Sequence, residues 1–307
     1  MICTVPESDV KRVKGMGFLR DKTTPDCFNC RVITRNGKIT TEECIAIAKA
    51  AKLYGNGEVA MTIRQAIEIQ KIPYGNIDPL IAYLAEYGLE PGGTGPKVRP
   101  IVSCKGTTCN FGLVDTFDLS KKIHYSFYKG YRSVKLPHKF KIAVGGCPNN
   151  CVKPDTNDLG IVGQRVVKID IEKCKGCKLC QIEKVCPIKA AKLVEGKLVI
   201  DRQECNNCGR CVDKCPFHAL DEYTDGYTVY IGGMWGKKTA KGQRLGKIFE
   251  SEEEVLSVVE KSILLYKEKG IQGERFNDTI RRLGFENVES QLISNDILAR
   301  KDKIING

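Results

Sequence analysis

Two rhythms of apolar and polar residues alternate along the first ninety positions. Cys30–Thr34 and Val59–Arg64 (VAMTIR), with IEIQKI following, are short apolar-rich stretches that read as strands. Between them, ECIAIAKAAKLYG repeats at helical spacing. Thr40-Thr41-Glu42-Glu43 supplies its capping box and Gly55 its stop. Asn36-Gly37 reads as a turn, Asn76–Gly88 as a second helix opened by Asp78 and Pro79, and GLEPGGTGPK as a closing loop. Residues 1–15 are expected to form a loose arm. The βαββαβ-like order predicts an antiparallel sheet with helices on one face.

The second half carries fewer but clearer patterns. Asp118–Lys129 predicts a helix, KFKIAV (Lys139–Val144) a strand, DLGIVG (Asp158–Gly163) a return into the sheet, and GYTVYIGG a further strand. GKKTAKGQRLGK is a basic loop. Ser251, followed by three glutamates, caps the amphipathic helix EVLSVVEKSILLYKEKG, and ERFNDTIRRLG is a shorter helix stopped by Gly284. The tail Asn295–Gly307 is polar and shows no pattern.

The chemistry concentrates in LPHKFKIAVGGCPNNC (Leu136–Cys151). Alternation puts Lys139 and Lys141 on one face of the expected strand. Gly145-Gly146 permits a sharp turn, and Pro148 suits the first turn of a following helix, whose N-terminus would favour the thiolates of Cys147 and Cys151. A second pair, Cys104 and Cys109, lies upstream in SCKGTTC. Two short-spaced cysteine pairs beside two cations describe an anionic metal cluster next to an anion pocket.

A second module follows. Cys174, Cys177, Cys180 and Cys186-Pro187 form one run; Cys205, Cys208, Cys211 and Cys215-Pro216 repeat it. This is the two-cluster ferredoxin signature, in which the fourth cysteine of each run serves the other run's cluster. One cluster is therefore expected on Cys174, Cys177, Cys180 and Cys215, the other on Cys205, Cys208, Cys211 and Cys186. A zinc ribbon is disfavoured, because tetrahedral zinc needs four cysteines and not two interlocked triplets.

The pattern C-x4-C … C-x3-C, with KFK ahead of GGCPNNC, resembles the sulfite and nitrite reductases that carry a coupled sirohaem–[4Fe–4S] centre. The similarity runs over nearly the whole chain; the first cysteine pair departs from it, standing one residue closer than is usual, at Lys105–Thr108. The resemblance implies that Cys104, Cys109, Cys147 and Cys151 hold a [4Fe–4S] cluster and that Cys151 also bridges to the sirohaem iron. It implies that Arg64 (in MTIRQ), Arg99 (in KVRPIVSC), Lys139 and Lys141 face the substrate, and that Gln65, Thr107, Thr108 and Asn149 join Cys151 in contacting the sirohaem. It further implies an α+β fold with a ferredoxin-like N-terminal domain (1–95) and an α/β sirohaem–cluster domain (96–167 and 221–307). A bacterial-type 2[4Fe–4S] ferredoxin insert (168–220) interrupts the latter.

Composition narrows the remaining classes. Three histidines disfavour a haem held by axial histidine, and 16 cysteines at these spacings in a 307-residue chain without a signal-peptide core point to metal thiolates and a cytoplasmic setting rather than disulfides. The net charge of +12 would fit nucleic acid. Three [4Fe–4S] clusters at about −2 each would offset roughly half of it, and no nucleic-acid module accompanies it. No membrane-length apolar run exists. Cys44 is expected in the core; Cys3, Cys27 and Cys30 read as buried thiols, with a metal site as the lesser alternative.

The reading most resembles the small anaerobic sulfite reductases: six-electron reduction of sulfite to sulfide, fed through the insert. The alternatives are nitrite reduction to ammonia at the same centre and a non-catalytic electron-transfer subunit. The expected partners are a small oxyanion and an electron donor, either a ferredoxin or NAD(P)H-oxidising flavoprotein subunits. A second copy of the chain is also expected, as half-size relatives pair.

Overall fold

The computed structural model describes residues 4–306. The N-terminal unit contains α1 (Glu7–Gly15), β1 (Phe18–Arg20), β2 (Cys27–Val32), α2 (Thr41–Tyr54), β3 (Val59–Met61), β4 (Ile67–Pro73) and α3 (Ile77–Glu86). Its strands form an antiparallel sheet in the order β1-β2-β4-β3. Phe28, Cys30 and Val32 point alternately inward from β2 and meet Ala46, Ile47 and Ala50 of α2 and Leu80 and Leu84 of α3. Thr40 closes the capping box with Glu43.

Several expectations are corrected here. The supposed loose arm holds α1, whose Val13 is buried in this core. The order is ββαββα, since β1 precedes the expected first strand and the final strand is reduced to a single bridge between Val32 and Pro91. The strand expected to run to Arg64 stops at Met61, where Thr62–Gln65 turn instead: Gln65 donates its amide to the Thr62 carbonyl and adopts φ 61°. Cys44 is exposed, two residues before the inward Ala46 and therefore on the other side of the helix. Cys30 is buried and Cys27 partly so; Cys3 lies outside the described residues.

The second sheet follows the order β11-β10-β7-β6-β5, with β5 (Val102–Ser103), β6 (Ile142–Gly145), β7 (Leu159–Val167), β10 (Tyr223–Ile231) and β11 (Gln243–Arg244). Its β5, β6 and β7 run parallel, and β10 returns antiparallel beside β7. Helix α4 (Thr116–Ile123) continues as a π-helical turn to Lys129. Helices α6 (Glu252–Lys269), α7 (Phe276–Leu283) and α8 (Phe285–Ile293) complete the core with Phe140, Val144, Ile161 and Val229. The patternless tail forms α9 (Asp296–Ala299) and α10 (Lys301–Asn306), anchored by buried Ile297 and Ile304.

Between the paired ends of β7 and β10 the chain leaves the sheet. Val167 and Tyr223 are register partners, so the excursion starts and finishes at one point. It contains α5 (Gln181–Val185) and the hairpin of β8 (Ala191–Val194) and β9 (Lys197–Ile200). A small core of Val167, Ile182, Leu198 and Leu220 surrounds Cys174, and Cys180, Cys186, Cys205, Cys211 and Cys215 pack against it.

Candidate active site

The loop after β6 does not become a helix, contrary to the expectation from Pro148. It turns twice, with Asn150 at φ 57° and Lys153 at φ 48°, before the short 3-10 turn Pro154–Thr156. This folds Cys147 back towards the loop after β5. The Cys147 thiol is raised by burial and feels Cys104, Cys151 and Cys109, so all four cysteines share one small space. The amide of Gly146 donates to the Cys104 sulfur at 3.1 Å. Gly146 and Gly106 are back to back, and a Cβ on Gly146 would fall 2.8 Å from the Gly106 Cα. Among the described residues no three His, Cys, Asp or Glu side chains converge as they would on a single ion. A quartet spread around a space suits a cubane, whose thiolates each take a separate corner.

Cys151 is exposed and opens onto a cleft of about 440 Å³. Ile63, Val102, Val152 and Trp235 give it apolar walls; Arg64, Lys141, Lys153 and Asn157 give it polar ones. The turn at Thr62–Gln65 aims Arg64 inward, where it donates to Asn157 Oδ1 at 3.1 Å and to the Pro100 carbonyl at 2.6 Å. Its Nε has no partner, and neither has that of Arg99, whose Nη1 holds the Gly93 carbonyl. Burial lowers both guanidinium groups to about 10.

Lys139 and Lys141 flank the buried Phe140 and precede the strand, whose regular pairing begins only at Ile142. Burial, then Arg64 and Lys139, lower Lys141 to about 8. Lys139 is lowered by burial, Arg275 and Arg99. Arg64 and Lys141 line the cleft, and Arg99 and Lys139 stand within electrostatic reach of them.

Two members of this constellation escaped the sequence. Asp158 is fully buried, accepts from the Lys141 amide at 2.9 Å and pairs with Arg275 at 2.9 Å. Burial lifts its carboxyl above the ordinary value, against the pull of Arg275. Arg275 stands as the residue before α7, where only its lack of an apolar role could have drawn notice.

The other expected cofactor contacts also make hydrogen bonds within the chain. Gln65 reaches the rim of the cleft, but its amide is spent on Ser103: Nε2 donates to the Ser103 carbonyl at 2.6 Å and Oε1 accepts the Ser103 amide at 2.8 Å. Thr107 donates to Asp115 at 2.7 Å and accepts the Phe117 amide, securing the start of α4. Thr108 donates to the Lys105 carbonyl at 3.3 Å. Asn149 is exposed, and its backbone amide serves the Cys147 sulfur.

In the excursion between β7 and β10, the Cys211 thiol is raised to about 11 by burial and feels Cys208, Cys205 and Cys186. The structure thus gathers Cys186 with the second run.

A thiol-rich quartet beside a cationic, apolar-walled cleft defines a redox protein with an anion site. The family model described as "Nitrite and sulphite reductase 4Fe-4S domain" matches residues 94–297, and "Nitrite/Sulfite reductase ferredoxin-like half domain" matches 20–87. The chain belongs to the nitrite and sulphite reductase family, oxidoreductases whose members bind sirohaem and a [4Fe–4S] cluster. It is 32% identical over 278 residues to the coenzyme F420-dependent sulfite reductase of Methanocaldococcus jannaschii, covering 90% of this chain and 42% of that protein. It is 30% identical over 233 residues to one component of the anaerobic sulfite reductase of Salmonella typhimurium, covering 69% of this chain and 66% of that one. The crystal structure of dissimilatory sulfite reductase I shares the fold, with TM-score 0.68 at 24% identity over 87% of this chain and 69% of that one. The described residues contain no helix long and apolar enough to cross a membrane.

Proposed function

We propose that this chain is the catalytic unit of a sirohaem-dependent reductase that converts sulfite to sulfide, taking its electrons through the excursion at 168–220. The observation that carries the reading is the Cys104–Cys109–Cys147–Cys151 quartet with Cys151 opening onto the cleft of Arg64 and Lys141. The residues fit the group. A polycarboxylate macrocycle needs cations with spare donors, apolar walls and a thiolate, and the cleft offers unpartnered Arg64 Nε, Val102, Trp235 and Cys151. Cys104, Cys109, Cys147 and Cys151 would hold the cluster, and Cys151 would also hold the sirohaem. Bound there, sirohaem would supply the iron at which the oxyanion is reduced.

The chain's own residues do the rest. Five cations around the buried carboxylate Asp158 leave the cleft with positive potential, which draws in a small oxyanion. Arg64, at about 10, stays charged and holds oxygen. Lys141, at about 8, can release its Nζ proton to a departing oxygen near neutral pH and recover it from water. Asp158, fixed by Arg275, holds the Lys141 backbone in place. In the excursion, Cys186 would join Cys205, Cys208 and Cys211 on one cluster, and Cys215 would join Cys174, Cys177 and Cys180 on another, giving three in all.

Protein purified without oxygen from cells that make sirohaem tests this. Tetrapyrrole bands, together with sulfide formed from sulfite with a reduced viologen donor, are the expected result. Iron without tetrapyrrole bands overturns the reading. Nitrite uses the same cations, so parallel sulfite and nitrite kinetics decide the substrate.

A further inference from the structure

The two halves of the excursion face in different directions. The Cys205–Cys211 half lies against the catalytic sheet: Arg165 of β7 donates its amide to the Asn207 carbonyl at 2.8 Å. The Arg210 guanidinium covers the Phe111 ring, two residues past Cys109, at 4.7 Å. One pocket has Pro148 and Asn150 on one wall and Cys205 and Asn206 on the other. The Cys174–Cys180 half is tied only inward. Lys197 donates to the Ile171 and Cys174 carbonyls at 3.1 Å, and Asp170 donates its amide to Ala219. Among the described residues, no hydrogen bond or ion pair joins residues 171–185 to anything outside the excursion.

The outward loop has its own chemistry. Between Cys174 and Cys180 stand Lys175, Lys178 and Leu179, with no acid. Both lysines are exposed and have no ion-pair partner among the described residues, and Leu179 is 85% exposed. Lys184 on α5 is likewise exposed and without an ion-pair partner among the described residues. Lysines alone could serve to offset a cluster's negative charge. A leucine held in water between them adds nothing to that offset and is free to make an apolar contact. Transient electron-transfer encounters use small contacts with an apolar centre and a charged rim, and opposite charge on the partner speeds their formation.

We propose that the Cys174–Cys180 loop is the docking surface for an acidic one-electron carrier protein, with Leu179 at the centre of the contact and Lys175, Lys178 and Lys184 steering it. This rests on the reading of the excursion as a two-cluster module. In each encounter the reduced carrier would lose one electron, and the cluster that Cys174, Cys177, Cys180 and Cys215 would hold would accept it. Cys205, Cys208, Cys211 and Cys186, in the half against the catalytic loop, would hold the next acceptor. No bond is made and no proton moves.

The test uses the complete cofactor-loaded protein and, as probe, an acidic [2Fe–2S] ferredoxin. The Lys175→Glu/Lys178→Glu double variant and the Leu179→Ser variant are compared with wild type. Wild type should bind the oxidised probe with an affinity that weakens as salt rises from about 50 to about 300 mM. Each variant should bind at least about tenfold more weakly, and the double variant should lose the salt dependence. Turnover driven by the reduced probe should fall in parallel, while viologen-driven turnover and the paramagnetic signals of the reduced clusters stay as in wild type. Equal probe binding in wild type and variants, or none by wild type, overturns the docking surface even where viologen turnover is intact. So does a homo-oligomer that Leu179→Ser dissociates. Failure of wild-type viologen turnover would instead count against the reductase reading.

Discussion

Arg275 reaches both carboxylate oxygens of Asp158, at 2.9 and 3.1 Å, from a helix that begins more than a hundred residues further along the chain. Asp158 in turn accepts the amide of Lys141, so one buried carboxylate sets the position of a cation it does not pair with through its side chain. Asp158→Asn would leave Arg275 uncompensated in a largely dry site. The expected cost is about 3 kcal/mol of folding stability, measured by urea unfolding of the cofactor-free chain. Unchanged stability would show that the pair is dispensable.

Lys141 loses its proton as pH rises through its depressed value of about 8, whereas an ordinary lysine holds it to 10.5. On the proposed mechanism the proton donor is lost above that point and the positive potential of the cleft weakens. Turnover should therefore be retained on the acid side and decline on the alkaline side. Bound carboxylates raise a neighbouring ammonium group, so the decline falls at or above pH 8. In Lys141→Arg this limb should move out of the accessible range while the maximal rate drops, which a pH–rate series for each form would reveal.

Cys186 stands beside Cys205, Cys208 and Cys211 and is proposed to share their cluster. Cys186→Ser should remove or convert the cluster on Cys205, Cys208 and Cys211 and leave the signals of the other clusters in place. Low-temperature paramagnetic resonance together with iron analysis distinguishes this from loss of the cluster nearest Cys186 in the sequence. Intact signals from the second run in the variant would refute the crossed arrangement.

Gln65 is a clasp between the N-terminal unit and β5. Gln65→Ala removes two hydrogen bonds, worth about 1–3 kcal/mol together. Gly37→Ala should act on the same clasp, because Gly37 sits at φ +82° and its Cβ would fall 2.8 Å from the Gln65 amide carbon. Thermal unfolding should show both variants destabilised and their effects less than additive when combined. Additive effects would mean that the two residues act separately.

The residues legible in the sequence were those whose partners lie within a few positions. The capping box at Thr40, the Ser251 cap and the Gly284 stop all depend on local geometry and stand as expected. Pro148 misled for a related reason: proline tolerates the start of a helix, but Asn150 and Lys153 adopt left-handed backbone and end any helical path. Arg64 was found by its motif, yet the turn that aims it depends on a Thr62–Ala66 contact that alternation alone does not reveal. The bonds that Gln65 and Thr107 make to Ser103 and Asp115 were not legible, because these partners become neighbours only once the units pack or the loop folds back. Asp158 and Arg275 have meaning only as a pair that the fold creates.

The excursion leaves β7 at Val167 and rejoins β10 at Tyr223, and these two residues already face each other across the ladder. A two-residue hairpin could therefore replace more than fifty residues with no shift of register in the sheet below. Geometry of this kind makes the segment a plug-in cartridge: an ancestor could acquire it, shed it or exchange it for another without relearning how to fold the sheet that carries it.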